Sequence, residues 1–119
     1  MDNRAKKLLF DVLVSGRSIR EWCEGRTFSE YETDRQLRKA VEREFEIIGE
    51  ALNRLTHADP ATASRVEDLN RIVGFRNRII HGYDAVDDAT VWGVAESHLP
   101  RLLAEVEALL REAGEGVEG

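Results

Sequence analysis

The sequence is poor in several features that would place it in other classes of protein. It contains one cysteine, Cys23, and two prolines in 119 residues. A single cysteine excludes an intrachain disulfide and suits a reducing compartment, so we predict a cytoplasmic protein. Near the N-terminus, Asp11 interrupts the apolar run and no small-residue cleavage site follows. We therefore predict neither a signal peptide nor a membrane-spanning segment.

Positively charged residues are also fewer than negatively charged ones. The chain has 17 Lys and Arg residues against 23 Asp and Glu residues, a formal net charge of −6, and a pI near 5.1. An acidic chain does not attract nucleic acid as a whole, so any RNA contact needs a local cationic cleft. The three histidines (His57, His81 and His98) lack metal-ligand spacing, and no glycine-rich phosphate loop is present. We predict no metal and no cofactor.

What the sequence does contain is helix-forming residues in a helical pattern. Ala, Leu, Glu and Arg are abundant, and no stretch alternates with the two-residue period of a strand. We predict an all-α fold, an up-and-down bundle of four long helices in one domain, residues 1–113, followed by a flexible tail, 114–119. The predicted helices cover about 2–24, about 34–55, from 63–67 to 81–83, and from 87 or 88 onward, the last one broken near Pro100.

The helix boundaries rest on capping residues. Asp2 is a plausible N-cap of the first helix and Asp87 or Asp88 of the last. Thr33 and Gln36 have the spacing of a capping box, so the preceding segment RTFSEYE is predicted to be irregular. Gly82 is suited to the left-handed conformation that often ends a helix.

One stretch, RNRIIHGYD at residues 76–84, places reactive side chains at the end of a core-like helix. On that helix, positions at steps of four and three share a face, and the members of this stripe are Leu69, Val73, Arg76, Ile80 and Tyr83. Arg76 interrupts an otherwise apolar seam. Because an unpaired buried guanidinium is very costly, Arg76 either pairs with a carboxylate or opens into a cleft.

Arg76 and His81 are five residues apart, so in a continuous helix their directions differ by about 140°. They converge only if the helix ends between them or if a second subunit completes the site. Gly74, in the middle of this helix, indicates close approach by another backbone. Gly49, in the middle of the second helix, indicates close packing as well, in this case of two subunits.

The chemistry open to this pair is metal-free cleavage of RNA. A histidine can take the proton of a ribose 2′-hydroxyl or protonate the leaving oxygen, because it titrates near neutral pH. An arginine can hold the phosphate and stabilise the added negative charge of the transition state. The expected ends are a 2′,3′-cyclic phosphate and a 5′-hydroxyl.

Simpler interpretations compete with this one. A histidine at a helix C-terminus often only complements the helix dipole, and an arginine in a seam is often one half of a buried ion pair. Glu50, on the polar side of the second helix, could orient His81 or pair with Arg76, or belong to an ordinary solvated face.

The stretch at 76–84 resembles the R-x4-H-x-Y signature of HEPN domains in their HepT-like toxin form. The segments AVEREFEIIGEALNRL, from residue 40, and VDDATVWGVAESHLPRLLAEV, from residue 86, resemble that family's second and last helices, so the likeness covers nearly the whole chain. The resemblance implies a dimeric, metal-independent ribonuclease whose paired Arg and His residues line a cleft at the interface.

Carried over to this sequence, the resemblance makes Arg76 and His81 catalytic, Asn77 a supporting residue and Tyr83 a site of AMPylation. It also implies a partner, a minimal nucleotidyltransferase antitoxin that transfers AMP to Tyr83. The predicted partners are thus RNA, this antitoxin and a second copy of the chain. The main alternative is a non-catalytic helical partner or nucleotide-binding subunit of that nucleotidyltransferase. A third possibility is a plain bundle in which Arg76 serves only stability.

Overall fold

Seven helices form the part of the chain that the computed structural model describes, residues 1–81 and 86–118. In chain order they are α1 (Asn3–Cys23), α2 (Phe28–Thr33), α3 (Arg35–Ala58), α4 (Pro60–Ala63), α5 (Leu69–His81), α6 (Asp88–Ser97) and α7 (Leu99–Glu112). No strand occurs within those ranges. The all-α prediction is confirmed.

Helix α3 lies at the centre of the packing, between α1 and α5, and α1 also packs against α7. Residues at steps of three and four form its buried face, with Val41, Phe45, Ile48, Leu52 and Leu55 fully buried. The long helices α1 and α3, and α3 and α5, therefore pack side by side in chain order, as in an up-and-down bundle. The last helix of the prediction is broken as expected, because α6 ends at Ser97 and α7 begins at Leu99 with Pro100 in its first turn.

The caps at Asp2 and Asp87 are confirmed. Asp2 accepts a hydrogen bond from the Ala5 amide at 2.9 Å, and Asp87 accepts one from the Thr90 amide at 2.7 Å. Each satisfies one of the amides that a helix start leaves without an intrahelical partner.

The predicted capping box at Thr33 and Gln36 is wrong. The Thr33 hydroxyl instead donates to the Ser29 carbonyl at 2.9 Å, and Asp34 caps α3. The reciprocal box lies six residues earlier, at Thr27 and Glu30, and it begins α2 inside the segment predicted to be irregular. Both sites satisfy the four-residue pattern, so the pattern alone could not decide between them.

The third predicted helix also begins later than expected. A single turn, α4, starts at Pro60 under the cap of Asp59, and α5 starts only at Leu69. The Gly82 cap and Tyr83 lie outside the described residues.

Residues 114–118 make contacts of their own. Val117 is 2 % exposed, its carbonyl accepts a hydrogen bond from Arg17, and Arg111 lies 3.3 Å from Glu118. The division into one domain, residues 1–113, and a flexible tail, 114–119, stays a prediction. None of the described helices is long and apolar enough to cross a membrane.

Candidate functional site

The rotation of α5 is set by its apolar face. Leu69, Ile72 and Phe75 are buried, and the Phe75 ring meets Phe45 of α3 edge-on, with centroids 5.2 Å apart. Steps of three residues between these side chains fix which face of α5 meets α3. Arg76, the next residue after Phe75, is thereby directed along the α3 surface.

Arg76 is held close to α3 by a glycine. A Cβ atom placed on Gly49 would lie 2.2 Å from Arg76 Cβ and 2.5 Å from Arg76 Cγ. Since the clash falls at the base of the arginine side chain, only a helix shift could relieve it. The close packing expected at Gly49 therefore exists, but against Arg76 of the same subunit. At Gly74, nothing in the described chain outside its own helix backbone lies within 4 Å of the Cβ position, so the close approach expected there stays a prediction.

The Arg76 guanidinium donates two hydrogen bonds that fix its plane. Its Nη2 donates to Glu50 Oε2 at 2.7 Å and its Nη1 to Asn77 Oδ1 at 2.9 Å. Its Nε is buried and has no hydrogen-bond partner among the described residues. The side chain remains 22 % exposed, so Arg76 both pairs with a carboxylate and reaches the surface.

Glu50 carries a second arginine that the sequence interpretation did not single out. Arg54 Nε donates to Glu50 Oε1 at 2.9 Å, one helical turn further along α3. The spacing of four residues between an acid and a following base is the signal that could have identified it. One carboxylate therefore bridges two guanidinium groups, those of Arg54 and Arg76.

His81 is the last residue of α5 and is exposed. Helix α5 is unbroken from Leu69 to His81, so the helix does not end between Arg76 and His81. Within one subunit the two side chains leave the helix in directions about 140° apart. The first of the two expected ways of bringing them together, a helix that ends between them, is therefore not what the structure has.

A separate polar cluster lies at the start of α5, where residues of α7 and its N-cap meet Asp68. His98 Nδ1 lies 3.1 Å from Asp68 Oδ2, and Arg101 Nη1 lies 3.4 Å from the same oxygen. The hydrogen bond with His98, helped by the charge of Arg101, holds the pKa of Asp68 below its usual value. No group of three potential metal ligands occurs among the residues described.

The all-α bundle agrees with the helical fold of a HEPN domain, and the comparison with known families is more specific. The family model for HepT-like ribonucleases matches residues 12–109. The chain belongs to the HepT-like ribonuclease family.

Relatives that carry a ribonuclease name match this chain over most of their own lengths. A protein of Methanocaldococcus jannaschii, named a putative RNase, is 31 % identical over 102 residues, 86 % of this chain and 93 % of the relative. A protein of Thermococcus cleftensis, named a probable ribonuclease HepT, is 26 % identical over 109 residues, 92 % of this chain and 98 % of the relative. No solved structure matches the chain.

Proposed function

We propose that this protein is the toxin of a toxin–antitoxin pair, a metal-independent endoribonuclease that cuts RNA at a site built from Arg76 and His81. The family and the names of its relatives support a ribonuclease. The observation that carries the assignment of the site is the Arg76 guanidinium, which is fixed by Glu50 and Asn77 yet still reaches the surface.

Each residue has a defined part in the proposed reaction. Arg76 holds the scissile phosphate and stabilises the charge that grows on its oxygens, because a guanidinium donates two parallel hydrogen bonds to an anion. His81 moves the proton, as base on the 2′-hydroxyl or as acid on the leaving oxygen. Asn77 and Glu50 keep the guanidinium in place, so that its position is set before the substrate binds.

The proposed site needs two subunits. The unbroken helix directs Arg76 and His81 away from each other, so a homodimer in which one subunit's His81 approaches the partner's arginine is the arrangement that would unite them. Such a dimer would present two copies of the basic residues of α5 around one cleft, a local positive potential on an acidic protein.

Control of the toxin is proposed to be covalent. A minimal nucleotidyltransferase antitoxin would attach AMP to Tyr83, two residues after His81. The added phosphodiester would bring negative charge to the proposed cleft and compete with the RNA phosphate for Arg76. The Tyr83→Phe variant should then escape silencing by the antitoxin and ATP, whereas continued silencing would contradict covalent control at this residue.

The test of the nuclease is cleavage in excess EDTA. Wild type, His81→Ala and His57→Ala are incubated with total RNA; His57 is a matched control because it is also exposed and near a helix end. We expect wild type and His57→Ala to cut and to leave cyclic phosphate ends, with His81→Ala slower by about 10²-fold to 10⁴-fold, the usual contribution of acid–base catalysis.

The intact mass decides the meaning of a negative result. Protein heavier by whole AMP units would be silenced toxin, and the assay is then repeated on unmodified protein. Unmodified wild type that cuts no RNA would overturn the nuclease and favour the non-catalytic partner of the nucleotidyltransferase. If Arg76→Ala only lowers the melting temperature while cleavage persists, the Arg76–Glu50 pair serves stability alone.

A further inference from the structure

The two arginines that share Glu50 form a pair of fixed cations on one carboxylate. Arg76 Nη2 and Arg54 Nε each lie within 2.9 Å of a different oxygen of Glu50. Both guanidinium groups are therefore held side by side, although Arg76 comes from α5 and Arg54 from α3. Only Arg76 is used by the proposed reaction.

Arg54 belongs to an outward-facing ridge of α3. Arg43, Glu50 and Arg54 follow one another at steps of seven and four residues, so they share a face of the helix. They border a groove of about 210 Å³ between α1 and α3. The Arg54 side chain is 62 % exposed, and Arg43 is exposed without an ion-pair partner in the described part of the chain.

The charged residues that line this groove balance, with Arg43 and Arg54 against Asp11 and Glu50. Each carboxylate is also bound by a cation from outside the lining, Asp11 by Lys7 at 2.6 Å and Glu50 by Arg76 at 2.7 Å. Counted with these two partners, the cluster has four positive charges and two negative ones. A groove with fixed positive charge attracts the backbone of a single-stranded nucleic acid independently of its sequence.

We infer that Arg54 forms a phosphate subsite next to Arg76, and that this subsite binds a phosphodiester flanking the scissile one. Arg43, further along the same groove, adds to the subsite. The inference rests on the proposed function and extends it, because it gives the path by which RNA leaves the Arg76 site along α3. Glu50 binds the two guanidinium groups through different oxygens, and a phosphate needs only to meet the N–H groups that Glu50 leaves unused.

Stability does not account for Arg54. An ion pair between exposed side chains contributes little to stability, so Arg54 can be replaced without unfolding the protein. Arg65 provides a matched control elsewhere on the surface. Its side chain is 54 % exposed, it pairs with Glu112 at 2.7 Å, and it does not border the groove.

The test measures binding of a labelled single-stranded RNA to protein that carries His81→Ala, so that the RNA is not cut. Arg54→Gln, Arg54→Lys and Arg65→Gln are compared over about 50 to 200 mM salt. We expect Arg54→Gln to weaken binding by about tenfold and to reduce the slope of log K against log salt by about 0.7, the value for one lost contact on a single strand. Arg54→Lys should keep the slope, and Arg65→Gln should match the unaltered background.

Each other outcome overturns the subsite in a recognisable way. If Arg54→Gln and Arg65→Gln behave alike, either both unchanged or both weakened, Arg54 has no specific contact. If cleavage by Arg54→Gln in the wild-type background falls while the salt slope stays, Arg54 acts only by holding Glu50. In both cases RNA cleavage by wild type leaves the proposed function intact. If wild type neither binds nor cuts RNA, the proposed function fails, and the subsite with it.

Discussion

Two polar clusters along α5 have similar composition and different design. At the start of the helix, Asp68 is shared by His98 and Arg101, and near its middle Glu50 is shared by Arg54 and Arg76. The Asp68 side chain is 12 % exposed and its partners approach it from α7 and its N-cap, so the cluster fastens α5 to α7. Glu50 is 38 % exposed, so the contrast between the clusters lies in the carboxylates, since both clusters include an arginine that is more than half exposed, Arg101 and Arg54.

The cluster at Asp68 joins two helices around an enclosed carboxylate. The cluster at Glu50 has a more exposed carboxylate and leaves N–H donors for a ligand. At Asp68 the carboxylate is enclosed by its partners, which is how a structural ion pair is usually arranged. At Glu50 one carboxylate fixes two guanidinium groups that still have N–H donors for a ligand. The presence of Arg, His and an acid therefore says little about function; exposure and the number of donors left over say more.

Replacement of Gly49, the glycine that packs against Arg76, should have the largest effect of the variants considered. In Gly49→Ala the new Cβ would lie 2.2 Å from Arg76 Cβ, so α3 and α5 must move apart. We expect cleavage to fall by about 100-fold, because a displacement near 1 Å in a catalytic group costs that much. The free energy of unfolding should fall by about 1 to 3 kcal/mol, less the gain of about 1 kcal/mol from helix propensity.

Gly16→Ala is the control for a tight glycine elsewhere. Its Cβ would lie 2.5 Å from a terminal carbon of Leu103, between α1 and α7, far along the chain from the site residues. This variant should lose stability and keep its cleavage rate per folded molecule. Equal loss of cleavage in both variants would mean that Gly49 has no special role in placing Arg76.

Gly74 lies on the exposed face of α5, between the two clusters. Gly74→Ala meets nothing within 4 Å in the described chain, so within one subunit it should stabilise the helix by about 1 kcal/mol. If the proposed dimer covers this face, the added methyl group should weaken dimerisation by about tenfold, or 1.4 kcal/mol. Analytical ultracentrifugation measures the dimer constant.

Gly93→Ala is the matched variant, because its Cβ also meets nothing and it lies within α6. It should stabilise the subunit and leave the dimer constant unchanged. If the two variants have the same dimer constant, the partner subunit does not contact α5 at Gly74. The proposed dimer contact would then be confined to the part of α5 that carries Arg76.

The sequence was a good guide where one pattern had one meaning. The stripe of α3, the caps at Asp2 and Asp87 and the break before Pro100 follow from local periodicity and side-chain chemistry. The capping box was assigned wrongly, because Thr27 and Thr33 both fit it. Gly49 was recognised as a close contact, but its neighbour, Arg76, lies 27 positions along the chain and depends on how α5 rotates against α3.

The candidate site residues lie in one stretch of the sequence, but the sequence does not predict which side chains they contact. Arg76, Asn77 and His81 follow from one stretch of sequence, whereas the choice of Glu50 as the partner of Arg76 required the crossing of α3 and α5. Arg54 follows from a spacing of four residues only after Glu50 has been chosen. Roles at Arg76, Asn77, His81, Tyr83 and Glu50 remain proposals to be tested.

The smallest expected effect is the pH dependence of the structural cluster. The pKa of Asp68 is lowered in the folded protein, chiefly by its hydrogen bond with His98, so the ionised carboxylate stabilises the fold. That stabilisation is fully present above the ordinary aspartate value, about 3.9, and is lost as the pH falls through the lowered value. Asp68→Asn lacks it at every pH, so the melting temperatures of the two proteins should converge between pH 5 and pH 2, near and below that ordinary value of about 3.9.

The double variant Asp68→Asn with His98→Ala separates this cluster from general acid unfolding. Against His98→Ala alone, the convergence should be smaller, because the main cause of the lowered pKa has been removed. Cleavage per folded molecule should be the same in all four proteins, since His98 and Asp68 meet at the start of α5, about two helical turns before Arg76. A cleavage loss that followed the Asp68 titration would mean that the two clusters along α5 are coupled, and the contrast between a structural and a functional cluster would no longer hold.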